Sequence, residues 1–183
     1  LSAASNKLND LKQERKTVED VISKINAIGT VTLGSESAIN TARSAYDALS
    51  TAQKELVTNY NTLTEAEARF KELKDADDAA RAEAESVEDK ISALNTSITL
   101  QDKTAVEEAR SAYDALSPTA KAYVSTSAVI KLENAEKRIT ALEKAKDEAD
   151  ALKEAIDALP AVSGVNLSDE TAIKNAETAF DNL

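Results

Sequence analysis

Cysteine, histidine, methionine and tryptophan are absent from this chain; glycine occurs three times and proline twice. Disulfides are therefore excluded, and neither a thiol nor an imidazole is available for nucleophilic chemistry. Aromatic residues make up only 3% of the sequence, too few bulky rings to fill a wide globular interior. Basic residues are outnumbered 22 to 33, for a net charge of −11. That balance argues against nucleic acid, whose phosphates need a basic surface, and against an anionic membrane face. Its simplest use is solubility. No apolar run approaches the roughly 20 residues of a membrane span, so no membrane insertion is expected, and no signal peptide is recognisable. The opening LSAASNKLNDLKQ reads as mid-helix, as expected of a piece of a longer protein.

What remains is Ala, Leu, Glu, Lys and Asp, a helix-forming mixture that suits slender bundles with closely approaching helices. The phrase ARSAYDALS stands at 42–50 and again at 109–117, and AETAFDNL at 176–183 is a blurred third copy. Val31, Ile98 and Val165 are 67 residues apart, as are Ile39, Val106 and Ile173; Tyr46, Tyr113 and Phe180; and Leu49, Leu116 and Leu183. A fixed period of this size signals stacked supersecondary units. The glycines lie in equivalent connectors, AIGTVTLGSE and PAVSGVNLSDE. Each connector ends at Ser35, Asp102 or Asp169, residue types that accept hydrogen bonds from first-turn amides, and these are expected to be helix N-caps. Gly29 and Pro160 stand where the preceding helices should stop.

After the caps an apolar stripe runs through Ile39, Ala42, Tyr46 and Leu49, with Leu56 beyond it. The second copy places Val106, Ala109, Tyr113, Leu116, Ala120 and Tyr123 in the same way. Ser117-Pro118 reads as a cap and first turn of a new short segment, and Ser50-Thr51 permits the same break. From Leu63 the series Ala66, Phe70, Leu73, Asp77, Ala80, Ala84, Val87, Ile91, Leu94 advances only in steps of three and four. One continuous helix of about 48 Å is predicted, interrupted on its apolar seam only at Asp77, where one bundle should hand over to the next.

The fold class is accordingly all-α: elongated tandem three-helix bundles that share long helices, as in spectrin-type rods. The predicted divisions are 1–78 (helices about 2–28, 35–58 and 62–77), 79–148 (about 78–95, 102–125 and 128–146) and a partial third repeat at 149–183 (about 147–159 and 169–183).

The stretch ARSAYDALSTAQKELVTN resembles helical repeats of large extracellular proteins of Gram-positive bacteria, with a pattern close to AR-x-AY-x-AL-T-x-x-QK-x-LV. It is met by Ala42, Arg43, Ala45, Tyr46, Ala48, Leu49, Gln53, Lys54, Leu56 and Val57. The second copy departs at Ala120 and Tyr123, and the third at Glu177 and Phe180. The resemblance implies a secreted or cell-wall location and a spacer role, with neighbouring domains of the same polypeptide as partners.

Candidate sites are few. Phe180 stands where Tyr46 and Tyr113 stand, so that position needs a ring and not a phenol, and packing is the better reading. Glu177 reverses the charge of Arg43 and Arg110, which speaks against an anion clamp. The clusters at 74–78 and 146–148 lack the spacing of a calcium loop and read as solvated helix faces. No phosphate loop or nucleophile elbow is present, and a narrow bundle has no cleft for paired carboxylates. No enzyme, metal or cofactor is expected. The leading function is a monomeric structural spacer. The alternatives are an adhesive module binding a host protein or glycan, with Tyr60 and Tyr123 as anchors, and an intracellular self-associating scaffold.

Overall fold

The computed structural model describes residues 2–182 and is all-helical. Eight α-helices follow one another among the described residues: α1 Ser2–Asn26, α2 Glu36–Asp47, α3 Thr51–Lys54, α4 Tyr60–Ser92, α5 Lys103–Ala115, α6 Pro118–Lys121, α7 Thr126–Asp157 and α8 Glu170–Asp181. Helix α4 runs unbroken for 33 residues through the polar stretch around Asp77, because nothing in it lacks a backbone donor or favours a turn. The chain divides into two compact units between Ala79 and Ala80, inside this helix. The second unit runs from Ala80 and includes the described part of the predicted partial repeat at 149–183, with α7 unbroken through Asp157 and packed on α8.

Two local rules shape the connectors. Helix α1 ends near Gly29, whose φ of +60° is the left-handed conformation that closes a helix and that side-chain-bearing residues avoid. The chain then makes a 3₁₀ turn at Leu33–Ser35 before α2, and Leu100–Asp102 and Leu167–Asp169 do the same before α5 and α8. Ser35, Asp102 and Asp169 occupy the N-cap positions of α2, α5 and α8, but their side chains make no cap bond to those helices. They turn backwards instead. Ser35 Oγ accepts from the Thr32 amide at 3.0 Å, Asp102 Oδ2 from Thr99 at 2.8 Å, and Asp169 Oδ2 from Asn166 at 2.9 Å. Each thus closes a capping box around the 3₁₀ turn, whose own caps are Thr32, Thr99 and Asn166.

The second predicted helix, 35–58, is two helices. Ser50 Oγ accepts from the Gln53 amide at 3.3 Å while Gln53 Oε1 accepts from the Ser50 amide at 3.0 Å. Ser117 Oγ accepts from the Ala120 amide at 3.1 Å with Pro118 in the first turn. The break is held by a reciprocal cap in the first copy and by a one-way cap with proline in the first turn in the second, each satisfying donors that a helix start leaves open. It also resets the register: Leu56 is 61% exposed, and Val57 is buried in its place.

The first core gathers Val18, Val21 and Ile25 of α1, Ile39 and Ala42 of α2, and Leu63 and Ala66 of α4, with Leu49 and Val57 from the short segments. The second gathers Val87 and Ile91 of α4, Val106 and Ala109 of α5, and Leu132, Ala135 and Ile139 of α7. Bridges to helix ends close each one. Asn59 Nδ2 donates to the Ile22 carbonyl at 3.0 Å, and Lys131 Nζ donates to the Ser92 carbonyl at 2.9 Å. Gly29 has open space where a Cβ would lie, so Gly29→Ala is expected to lower stability by about 1 kcal/mol through backbone strain alone. Urea unfolding with an unchanged m-value would check it.

Candidate functional site

The repeated phrase builds a repeated rim on each core. In α2, Ala42 faces inward with none of its surface exposed, which turns Arg43 to the edge and leaves Tyr46, one turn on, half-buried. Arg43 forms a two-pronged contact with Glu67 of α4: Nε to Oε1 and Nη2 to Oε2, both 2.5 Å. Its guanidinium lies 5.6 Å from the Tyr46 ring and 5.5 Å from the Tyr60 ring. The two rings stack with centroids 4.4 Å apart, and Lys54 Nζ lies 5.4 Å from the Tyr46 centroid. The hydrogen bond to the Glu67 carboxylate holds the Arg43 pKa above its ordinary value, against the opposing effect of burial.

The second copy repeats this arrangement with one partner missing. Arg110 Nη2 donates to Glu136 Oε2 at 2.7 Å, and the guanidinium lies 5.4 Å from the Tyr113 ring. Lys121 Nζ takes the place of Lys54 at 5.5 Å. Among the described residues no ring stacks on Tyr113 as Tyr60 does on Tyr46, and the half-buried Ala128 packs on this core from the start of α7. Leu49 is buried and Leu116 half-buried behind the rims. Phe180, the third member of the series, is 65% exposed, and Leu183 lies outside the described residues.

The tyrosines named as candidate anchors are engaged within their own units. Tyr60 is the stacking partner of Tyr46. Tyr123 lies beneath the Arg81 guanidinium at 4.3 Å, and Arg81 Nη2 donates to its hydroxyl at 3.3 Å. Sequence reasoning missed Glu67 and Glu136 as rim partners. They are 69 residues apart and not 67, so the period that aligned the arginines did not align them. The signal was available in their position four residues after Leu63 and Leu132.

Chemically, these groups fasten helices to one another. No cluster of carboxylates able to hold a metal ion occurs among the described residues, and no described helix is long and apolar enough to cross a membrane. An open cleft of about 540 Å³ lies along α5 and α7, lined by the charged groups Lys103, Arg110, Glu136 and Glu143. Those groups are already paired, since Lys103 contacts Glu143 and Arg110 contacts Glu136. A second cleft of about 640 Å³ lies between 95–98 and α7, lined by Asn95, Ile130, Lys131 and Arg138. Compared with known protein families, curated proteins and solved structures, the chain matches none.

Two tests follow from the rim and the connectors. A double-mutant cycle over Arg43→Met and Glu67→Gln should give a coupling of about 1 kcal/mol, since the contact is two-pronged and only partly exposed. Asp102 is held below the ordinary carboxylate pKa first by the Thr99 amide, then by the Thr99 hydroxyl and Asn95. Its contribution is therefore present above the unfolded-state value of about 4 and is lost as pH falls through the lower folded-state value. Asp102→Ser, which installs the residue of the first copy, should keep the box and flatten the acid limb of a stability–pH profile.

Proposed function

We propose that this chain is a non-catalytic structural spacer, built of spectrin-like three-helix repeats that share long helices, in a secreted or cell-wall protein of a Gram-positive bacterium. The observation that carries the reading is helix α4. Without a break it supplies Leu63 and Ala66 to one core and Val87 and Ile91 to the other. A helix that serves two cores resists bending with its backbone hydrogen bonds, a resistance a flexible loop cannot supply. The rim chemistry supports the same reading, because the charged and aromatic groups of the repeated phrase are spent on contacts between helices. The extracellular setting rests on the resemblance of ARSAYDALSTAQKELVTN to surface-protein repeats. In this role the chain holds a distal module away from the wall.

The adhesive alternative loses its two best anchors, since Tyr60 and Tyr123 already have partners. A blank result in binding assays with serum and matrix proteins is the corresponding expectation.

For a spacer, small-angle scattering should give a radius of gyration well above the about 16 Å of a compact chain of this length. Ala76 is an exposed residue of α4 that belongs to neither core. Ala76→Pro removes a helical hydrogen bond and clashes with the preceding turn, at roughly 3 kcal/mol. It should leave both cores folded by hydrogen exchange while broadening the scattering distance distribution. A compact wild-type profile, or a profile indifferent to the proline, would remove the spacer reading.

A further inference from the structure

The chain has six arginines, and five of them are engaged within it. Arg15, Arg43, Arg69 and Arg110 each meet a carboxylate, and Arg81 lies over the Tyr123 ring. Arg138 of α7 pairs with no carboxylate among the described residues. Its counterpart in the first copy is Arg69, at the same spacing of 69 that relates Leu132 to Leu63 and Ala135 to Ala66. Arg69 has Glu65 one turn before it and its ion-pair partner Glu72, at 3.0 Å, one turn after. The second copy replaces both, with Asn134 and Ala141. In a chain of 33 acidic and 22 basic residues, this guanidinium has lost every carboxylate within a helical turn and keeps its fork of donors free.

Arg138 borders the open cleft of about 640 Å³ between 95–98 and α7, which lies within the second unit. Among the described residues no carboxylate lines it. Lys131, where the first copy has Thr62, supplies a second cation. It is half-buried and steadied by the Ser92 carbonyl at 2.9 Å, with two further ammonium hydrogens left to donate. Asn134 also has no partner among the described residues, and its amide both donates and accepts. Asn95 gives its amide hydrogen to Asp102 at 2.6 Å, which leaves its side-chain carbonyl as an acceptor. Ile130, 51% exposed where the first copy has Asn61, adds an apolar surface beside these polar groups.

Each group matches one part of an acidic sugar. A guanidinium fork takes a carboxylate with two parallel hydrogen bonds, and the ammonium adds a point charge. Side-chain amides take hydroxyls as donors and as acceptors, and an exposed isoleucine covers the C–H face of a pyranose ring. A bare anion would leave the amides and Ile130 unused, and a neutral sugar would leave both cations unused. We infer that this cleft binds an acidic saccharide, with its carboxylate on Arg138 and Lys131 and its hydroxyls on Asn134 and Asn95. The site goes beyond the spacer reading and does not depend on it, because every residue of the cleft belongs to one unit. An open cleft covers only part of such a ligand, so the contact is weak and a washed capture assay does not register it.

The test is an amide NMR titration of the isotope-labelled 183-residue chain, at low salt, with a glucuronate-containing disaccharide as the probe. Signals of 95–98 and 130–138 should shift and saturate in the millimolar range, together with the Arg138 side-chain Nε–H signal. The matching disaccharide with glucose in place of glucuronate, and inorganic phosphate, should each bind at least about fivefold more weakly. Arg138→Gln, at an exposed site, should weaken binding about tenfold with helicity unchanged. Ala141→Glu, which returns to Arg138 the partner that Arg69 has, should weaken it about threefold while leaving every lining side chain in place. Absence of shifts in the cleft, or binding that survives both substitutions, would overturn the inference. An equal response to the neutral disaccharide removes the carboxylate from it, and an equal response to phosphate removes the saccharide; either result overturns it as well.

Discussion

Close approach of helices on alanine is the constraint from which the rest of this structure follows. Ala42, Ala109, Ala66 and Ala135 are all buried at the centres of their units, where a larger residue would force the helices apart. A core lined this way is thin, and each alanine removes little apolar surface from water. The larger side chains are therefore concentrated where they count most. Ile25 and Leu63 are fully buried in one unit, and Ile91 and Leu132 in the other. A thin core also leaves its polar edge close to its apolar centre. Arg43 and Arg110 can reach across from helices whose next residue inward is a buried alanine.

Those arginines account for the repeated phrase. The rim needs a cation to reach the neighbouring helix and a ring beneath it, one turn on, to support that cation. Where the neighbouring helix presents a glutamate, the phrase reads ARSAY. In the third copy, where Phe180 is largely exposed, the phrase becomes AETAF. The ring position survives without its hydroxyl, and the charge position changes sign. Both changes are readable as packing and pairing, and neither needs a ligand.

The repeat is kept in contacts more faithfully than in numbering. Val57 and Leu63 are six residues apart in the first copy; Val124 and Leu132 are eight apart in the second. The two extra residues fall at the start of α7, where Ser125 caps the helix and Glu88 Oε1 accepts from the Ser125 amide at 2.6 Å. A helix start absorbs such a change cheaply, because its first turn is held by side chains and not by the preceding chain. Beyond it the Leu, Ala and Glu positions fall back into place. The stacked Tyr60 has no counterpart among the described residues of the second rim.

Periodicity alone determined that the chain is helical, that Leu63 to Ser92 run without a break, and that Ile39, Ala42, Val106 and Ala109 face inward. These follow from steps of three and four and from an absence of breakers, which are local properties. The connector side chains were legible only in part: Ser35, Asp102 and Asp169 close a 3₁₀ turn with the residue three before them and do not cap the helices that follow, a local choice between two caps that periodicity does not make. Only tertiary structure decided that Val57 and not Leu56 is buried, and that Glu67 and Glu136 meet the arginines. Both depend on where a second segment lies in space. A one-dimensional pattern carries the direction of a side chain about its own helix, but not the identity of the group that waits there.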